Sequence, residues 1–297
     1  MKTQHASCNT SSSAEDSGEE KLAGTATVEA QRVEGKAICD LSDVLAVEEP
    51  LEIHVSLHST TNSADSSLVQ SVAVTMRTPG ADKELAAGFL FTEGIISQPE
   101  QIDEIINDKC NVAIVSLKPG VELDSKLFER HSFVASSCGV CGKKSIAAVK
   151  VKRHHQTIEG VPLVSSAIVH SLSATMRQAQ ANFDSTGGIH ASALFDSRGQ
   201  LLVLREDVGR HNALDKVIGA QFLQDKLPLN DTILMVSGRA SFELVQKASH
   251  AGIPILIAVG APSSLAVSLA QECGMTLVGF ARDGRFNIYS GGNRIEI

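Results

Sequence analysis

The sequence predicts an α/β protein, with a parallel sheet and flanking helices in its second half and a smaller α+β part before it. Three observations predict this. After about residue 230, short apolar runs alternate with amphipathic stretches, and buried strands alternating with helices make a parallel sheet. Between residues 51 and 76, two segments alternate apolar with polar side chains, the period of a half-buried strand. Apolar residues make up 43% and charged residues 20% of the chain, a globular composition that excludes a coiled coil and a wholly disordered chain.

Taken in order, residues 1–45 are rich in Ser, Thr, Glu and Ala without helical or strand period, and read as a disordered acidic tail. The start lacks the apolar run of a secretory signal, and no later stretch reaches the roughly 20 apolar residues of a membrane span. A cytoplasmic protein with no membrane attachment is expected. Residues 46–135 form the α+β part: strands at 51–57 and 69–76 joined as a hairpin, a stop at Pro79-Gly80, a short helix at 83–91 and a strand at 111–117. Residues 136–160, opening on Ser136-Ser-Cys-Gly-Val-Cys-Gly142, are too rich in small residues for regular structure and read as a loop and linker. Residues 161–297 form the α/β domain. There the spacing predicts one long helix at 165–183, a hairpin over 191–204 turning at residues 196–199, and a helix at 212–223 with Asn212 as a possible cap. Strands at 232–236, 254–259 and 275–279 alternate with helices at 241–250 and 264–273. Right-handed crossovers place the loops that follow these three strands on one sheet edge, where open α/β folds bind ligands.

Charge and aromatic content narrow the function. Ten acidic and four basic side chains fall in residues 1–50, so most of the net −8 lies in that segment and the remainder of the chain is nearly neutral. Duplex binding normally needs a clustered basic excess. With no Trp and one Tyr, stacking platforms for single-stranded bases are scarce as well. No nucleic-acid partner is expected.

Of six cysteines, only Cys138 and Cys141 are close in sequence. Their two-residue gap lets both sulfurs face one point, and three chemistries fit it. Structural zinc needs two more ligands. Cys8, Cys39, Cys110 and Cys273 form no second pair, although His131, His154 or His155 can complete a set. A redox pair normally sits between a strand and a helix start. The third reading is a nucleophilic thiolate on a loop made mobile by flanking glycines, favoured by Lys143, Lys144, Lys150, Lys152 and Arg153 nearby, because positive charge lowers a thiol's pKa. A turn with idle thiols is the plain alternative.

Two further segments are candidates. In 205–216, Glu206, Asp207, Arg210 and His211 are suited either to line a polar pocket or to form a buried ion network that fixes a hairpin to a helix. Thr186-Gly-Gly-Ile-His190 offers close backbone approach or simply a turn. The loops after the last three strands, at 237–241, 260–264 and 280–285, combine small residues with hydroxyls or arginines and together resemble a phosphate or nucleotide cradle. In the third, Arg282 and Arg285 suit phosphates, Phe280 a ring, and Asp283 ring N–H donors.

Taken together, Ser136-Ser-Cys-Gly-Val-Cys-Gly-Lys143, Thr186-Gly-Gly-Ile-His-Ala191, Arg205-Glu-Asp-Val-Gly-Arg-His-Asn-Ala-Leu-Asp-Lys216, Val236-Ser-Gly-Arg239 and Phe280-Ala-Arg-Asp-Gly-Arg285 resemble the FdhD family of formate dehydrogenase accessory sulfurtransferases. Five motifs in one order are far more specific than any pair of cysteines. The resemblance implies a sulfur carrier that takes sulfane sulfur from an IscS-type cysteine desulfurase. It implies delivery to the molybdenum cofactor, in its bis(molybdopterin guanine dinucleotide) form, before that cofactor enters the formate dehydrogenase catalytic subunit. By position, Cys138 bears the persulfide and Cys141 is its partner, while Phe280, Ala281, Arg282, Asp283, Gly284 and Arg285 contact the guanine dinucleotide. The resemblance further implies a mixed sheet like that of cytidine deaminases with flanking helices. The deaminase signature H-x-E followed by P-C-x-x-C is missing, so deamination and a resident metal are not expected. Two symmetric nucleotides on one cofactor suggest a homodimer.

Overall fold

The computed structural model describes residues 24–58, 67–109, 111–121 and 160–297. A four-stranded sheet is built from β3 (Glu49–His58), β4 (Ser67–Arg77), β5 (Ile102–Lys109) and β6 (Val112–Leu117) in the order β4-β3-β6-β5. β3 runs parallel to β6, and the outer pairs are antiparallel. Period-two alternation buries Leu51, Ile53 and Val55 of β3 with Ala113, Val115 and Leu117 of β6 on one face. Against that face lies α1 (Asp82–Thr92). β5 was not predicted, because most of its residues are polar and Ile105 is the one buried residue among its described side chains.

The second sheet has six strands: β8 (His190–Asp196), β9 (Leu201–Asp207), β10 (Thr232–Val236), β11 (Ile255–Ala258), β12 (Thr276–Arg282) and β13 (Arg285–Ser290). Their order is β13-β12-β11-β10-β8-β9. Only β10, β11 and β12 are mutually parallel; β8, β9 and β13 run antiparallel to their neighbours, so the sheet is mixed. One face packs on α2 (Ser166–Gln178) through Ile233, Met235, Ile255 and Ile257. The other, through Leu234, Val236, Leu256 and Ala258, packs toward α4 (Arg210–Phe222), α5 (Phe242–His250) and α6 (Ser264–Glu272). Ser165, Ser241 and Ser263 cap α2, α5 and α6 by accepting from backbone N–H groups three residues on.

One apolar core joins the two halves, running from Leu51 and Leu90 through Leu214 and Phe222 to Leu234 and Leu277. The joint is the crossing of α1 and α4. A Cβ on Gly88 would lie 1.9 Å from the Asp215 carbonyl oxygen, and one on Gly219 would lie 1.9 Å from that of Glu84, so only glycine permits this approach.

The structure corrects three expectations. The disordered tail predicted for residues 1–45 gives way, over residues 24–45, to a hairpin of β1 (Thr25–Glu34) and β2 (Ala37–Ala46). Its side chains are mostly exposed, so no buried face marks its period in the sequence. The helix predicted at 165–183 is two, α2 and α3 (Ala181–Thr186), because the Glu206 carboxylate accepts from Asn182 N–H at 3.0 Å and Phe183 N–H at 2.9 Å and starts a new helix. Asn212 is not the cap of α4, which begins after Gly209; its carboxamide donates to the Met76 carbonyl at 2.7 Å and to Asp207 at 3.1 Å. Residues 280–285 turn the β12–β13 hairpin. Near the chain end, β14 (Ile295–Glu296) pairs parallel with β7 (Val164–Ser165). The adjoining Arg294, 2% exposed, donates to the carbonyls of Val161 and Gly274.

Candidate functional site

The loops that follow β10, β11 and β12 meet at one edge of the mixed sheet. Their backbones are linked in sequence: Gly260 N–H donates to the Gly238 carbonyl at 3.0 Å, Phe280 N–H to that of Gly260 at 3.1 Å, and Ser263 N–H to that of Ala240 at 3.0 Å. Here β10 has a parallel neighbour, β11, on one side and an antiparallel one, β8, on the other. The carboxyl ends of the parallel strands β10, β11 and β12 lie on this edge, where open α/β sheets bind ligands.

The third loop is a tight hairpin tip. Asp283 and Gly284 have φ of 54° and 70°, the signature of a type I′ turn. Phe280 has φ of 55°, where β-carbon sterics disfavour a bulky residue, and a register irregularity falls between Gly279 and Arg282. The consequence is electrostatic. Arg282 and Arg285 stand directly opposite each other across the two strands, and both are exposed. Like charges so paired repel, and a bound anion between them removes that cost.

A pocket of about 610 Å³ opens beside this edge on the α2 face. Ser173, Met176 and Arg177 of α2 form one wall with Gln180 and Phe183; Gly187, Gly188, Ile189 and His190 form another, and Ser237 and Val259 close it at the strand ends. The Arg177 guanidinium lies over the Phe183 ring at 4.5 Å and pairs with Asp184. Burial pushes the His190 imidazole below its ordinary pKa; Arg210 adds to this and Asp207 opposes it. The ring is therefore held toward its neutral form. Two of the predicted segments, 186–190 and 237–241, meet in this pocket, whereas Arg177, Gln180 and Phe183 were hidden inside the run read as one helix.

The 205–216 segment is largely structural. Arg205 forms a two-point pair with Glu84 at 2.6 and 2.7 Å. Asp207, fully buried, lies 2.7 Å from Lys216 and accepts from the N–H groups of Thr78 and Gly209. Burial pushes its carboxyl upward against the pull of Lys216. His211 Nε2 lies 3.2 Å from Ser241 Oγ and 3.0 Å from Glu243 Oε2. The ion-network alternative holds for Arg205, Asp207 and Lys216; Glu206 accepts from the backbone N–H groups that start α3, and Arg210 stands near His190.

Residues 46–296 match the family model described as the FdhD/NarQ family. The chain belongs to the FdhD/NarQ family. It is 45% identical over 277 residues to the sulfur carrier protein FdhD of Streptomyces avermitilis, covering 90% of this chain and 94% of that one. The protein of the same name from Mycolicibacterium paratuberculosis is 48% identical over 262 residues, 85% of this chain and 92% of that one. The one from Saccharolobus solfataricus is 40% identical over 256 residues, 86% and 91% respectively. A crystal structure from Desulfotalea psychrophila, assigned as a formate dehydrogenase accessory protein, superposes with a TM-score of 0.70 at 24% identity, covering 92% of this chain and 99% of that one. At that identity the likeness speaks to the fold alone.

Of the positions that carried the FdhD resemblance, four segments are placed and three of them converge on the sheet edge: 186–191, 236–239 and 280–285. Cys138 and Cys141, with His131, His154 and His155, lie outside the described residues. Among the described residues Cys39 is exposed and Cys273 buried, no three side chains are grouped to hold a metal, and no helix is long and apolar enough to cross a membrane.

Proposed function

We propose that this chain is a cytoplasmic sulfur carrier serving a formate dehydrogenase. The observation that carries the reading is the FdhD/NarQ family match over residues 46–296, together with the Cys138-Gly-Val-Cys141 pair inside the matched span. An IscS-type cysteine desulfurase supplies a persulfide. The Cys138 thiolate attacks its outer sulfur, a new S–S bond forms on Cys138, the donor S–S bond breaks, and the donor leaves as thiolate. Cys141 then resolves: its thiolate attacks the inner sulfur of the Cys138 persulfide, leaving a Cys138–Cys141 disulfide and releasing the outer sulfur at the oxidation level of sulfide. The acceptor is the molybdenum cofactor as bis(molybdopterin guanine dinucleotide), a substrate of the carrier that goes on to the dehydrogenase catalytic subunit.

The cofactor's guanine nucleotides lie along the strand-end edge against Phe280, Ala281, Arg282, Asp283, Gly284 and Arg285. The cross-strand arginine pair supports this, since a pyrophosphate relieves its repulsion. The kinship of the mixed sheet to cytidine deaminases belongs to the same proposal, as does a homodimer presenting one edge to each nucleotide. Cyanolysis after incubation with a desulfurase and cysteine tests the carrier step. Wild type releases labile sulfur as thiocyanate and Cys138→Ala releases almost none; equal release from the two proteins removes Cys138 from the pathway.

A further inference from the structure

Gln180 presents an unusual problem for a residue in the short connection between α2 and α3. Its side chain is 3% exposed, and its carboxamide nitrogen is buried without a hydrogen-bond partner among the described residues. A buried amide donor left unmade costs about 1–3 kcal/mol, so such a group calls for a partner that the described residues do not supply. Gln180 lines the 610 Å³ pocket. Around it the walls are mainly apolar or flat: Met176, Phe183, Ile189 and Val259. Arg177 stands on the Phe183 ring with an exposed guanidinium, and His190 is held toward neutrality. Opposite, Gly188 leaves the floor open: a Cβ there would meet only the Thr186 carbonyl oxygen, at 3.7 Å.

We infer that this pocket seats a flat, uncharged heterocycle bearing a ring carbonyl, with the Gln180 carboxamide donating to that carbonyl and Arg177 facing an anionic group at the mouth. The inference deepens the proposed cofactor reading and rests on it. Within that cofactor the same chemistry, a 2-amino-pyrimidin-4-one edge, occurs both in the guanine base and in the pterin. Gln180 is thus a specificity-determining residue of the α2–α3 wall, separate from the arginine pair on the β12–β13 hairpin.

Calorimetric titration of the full chain with GDP and with neopterin separates the two sources. The variants are Gln180→Leu, which removes the donor, Gly188→Val, which fills the pocket, and Arg285→Ala, which touches only the hairpin. Gly188 has an ordinary φ and open space before it, so Gly188→Val keeps the wild-type melting temperature even where Gln180→Leu does not fold. For the probe that occupies the pocket, Kd rises roughly tenfold in Gln180→Leu, the loss of one hydrogen bond to a buried partner, and binding disappears in Gly188→Val. Loss of GDP identifies the base and loss of neopterin the pterin. If both variants bind each probe as wild type does, the pocket assignment is overturned; a GDP affinity that still falls in Arg285→Ala then leaves the cofactor reading standing. If wild type binds neither probe, both fall.

Discussion

At the scale of the residue, His190 and Arg282 show how position alone alters a side chain's chemistry. An imidazole in water titrates near pH 6.5. At the mouth of the pocket, burial and the Arg210 charge favour the neutral ring over the Asp207 attraction. A group whose folded pKa is lowered contributes stability that is complete above its unfolded pKa and is lost as pH falls. Urea midpoints measured from pH 7.5 to 5 are therefore expected to decline below about pH 6.5 in wild type, and to decline less in His190→Gln. Parallel curves for the two proteins would show that His190 is not titrating in that window. Arg282 illustrates the opposite case: it is exposed on a hairpin directly across from Arg285, so two like charges face each other in solvent.

At the scale of the element, the junction of α1, α4 and α5 holds a buried polar cluster in the core. Lys247 donates to both oxygens of Asp215 at 3.0 and 2.9 Å and to Thr92 at 2.8 Å, and lies 3.4 Å from Glu93. Removing one partner from such a buried pair leaves an uncompensated charge and costs about 3–5 kcal/mol. Lys247→Met is expected to lose that much in denaturant titration, and Lys247→Met with Asp215→Leu to regain most of it. A single variant as stable as wild type would mean that the pair contributes nothing net.

The same elements show what was readable in the sequence. Period-two alternation located β3, β4 and β6, short apolar runs located β10, β11 and β12, and the serines before α5 and α6 marked their starts. The break between α2 and α3 was not readable, since Gln178-Ala-Gln180 contains no glycine or proline and a carboxylate from β9 makes the break. Arg177, Gln180 and Phe183 were missed as site residues for that same reason. The β1–β2 hairpin escaped because it buries no face. By contrast, the glycines of 186–190 and the Ser237 loop announced themselves locally and proved to share one pocket.

At the scale of the whole molecule, the two sheets are parts of one folding unit. The core is continuous across the Gly88–Gly219 crossing, although the sequence divides naturally near residues 136–160. Calorimetry is expected to show one transition with calorimetric and van't Hoff enthalpies equal, and residues 161–297 expressed alone to show no cooperative melt, because α4 is left without α1. Two resolved transitions would establish independent domains. The last strand adds a consequence for the order of assembly. β14 holds β7, which leads directly into the first turn of α2, and Arg294 holds Val161 just before it. A ribosome makes β14 and Arg294 only after every other described element, so the brace at the entry to α2 is the last part of the described fold to be synthesised.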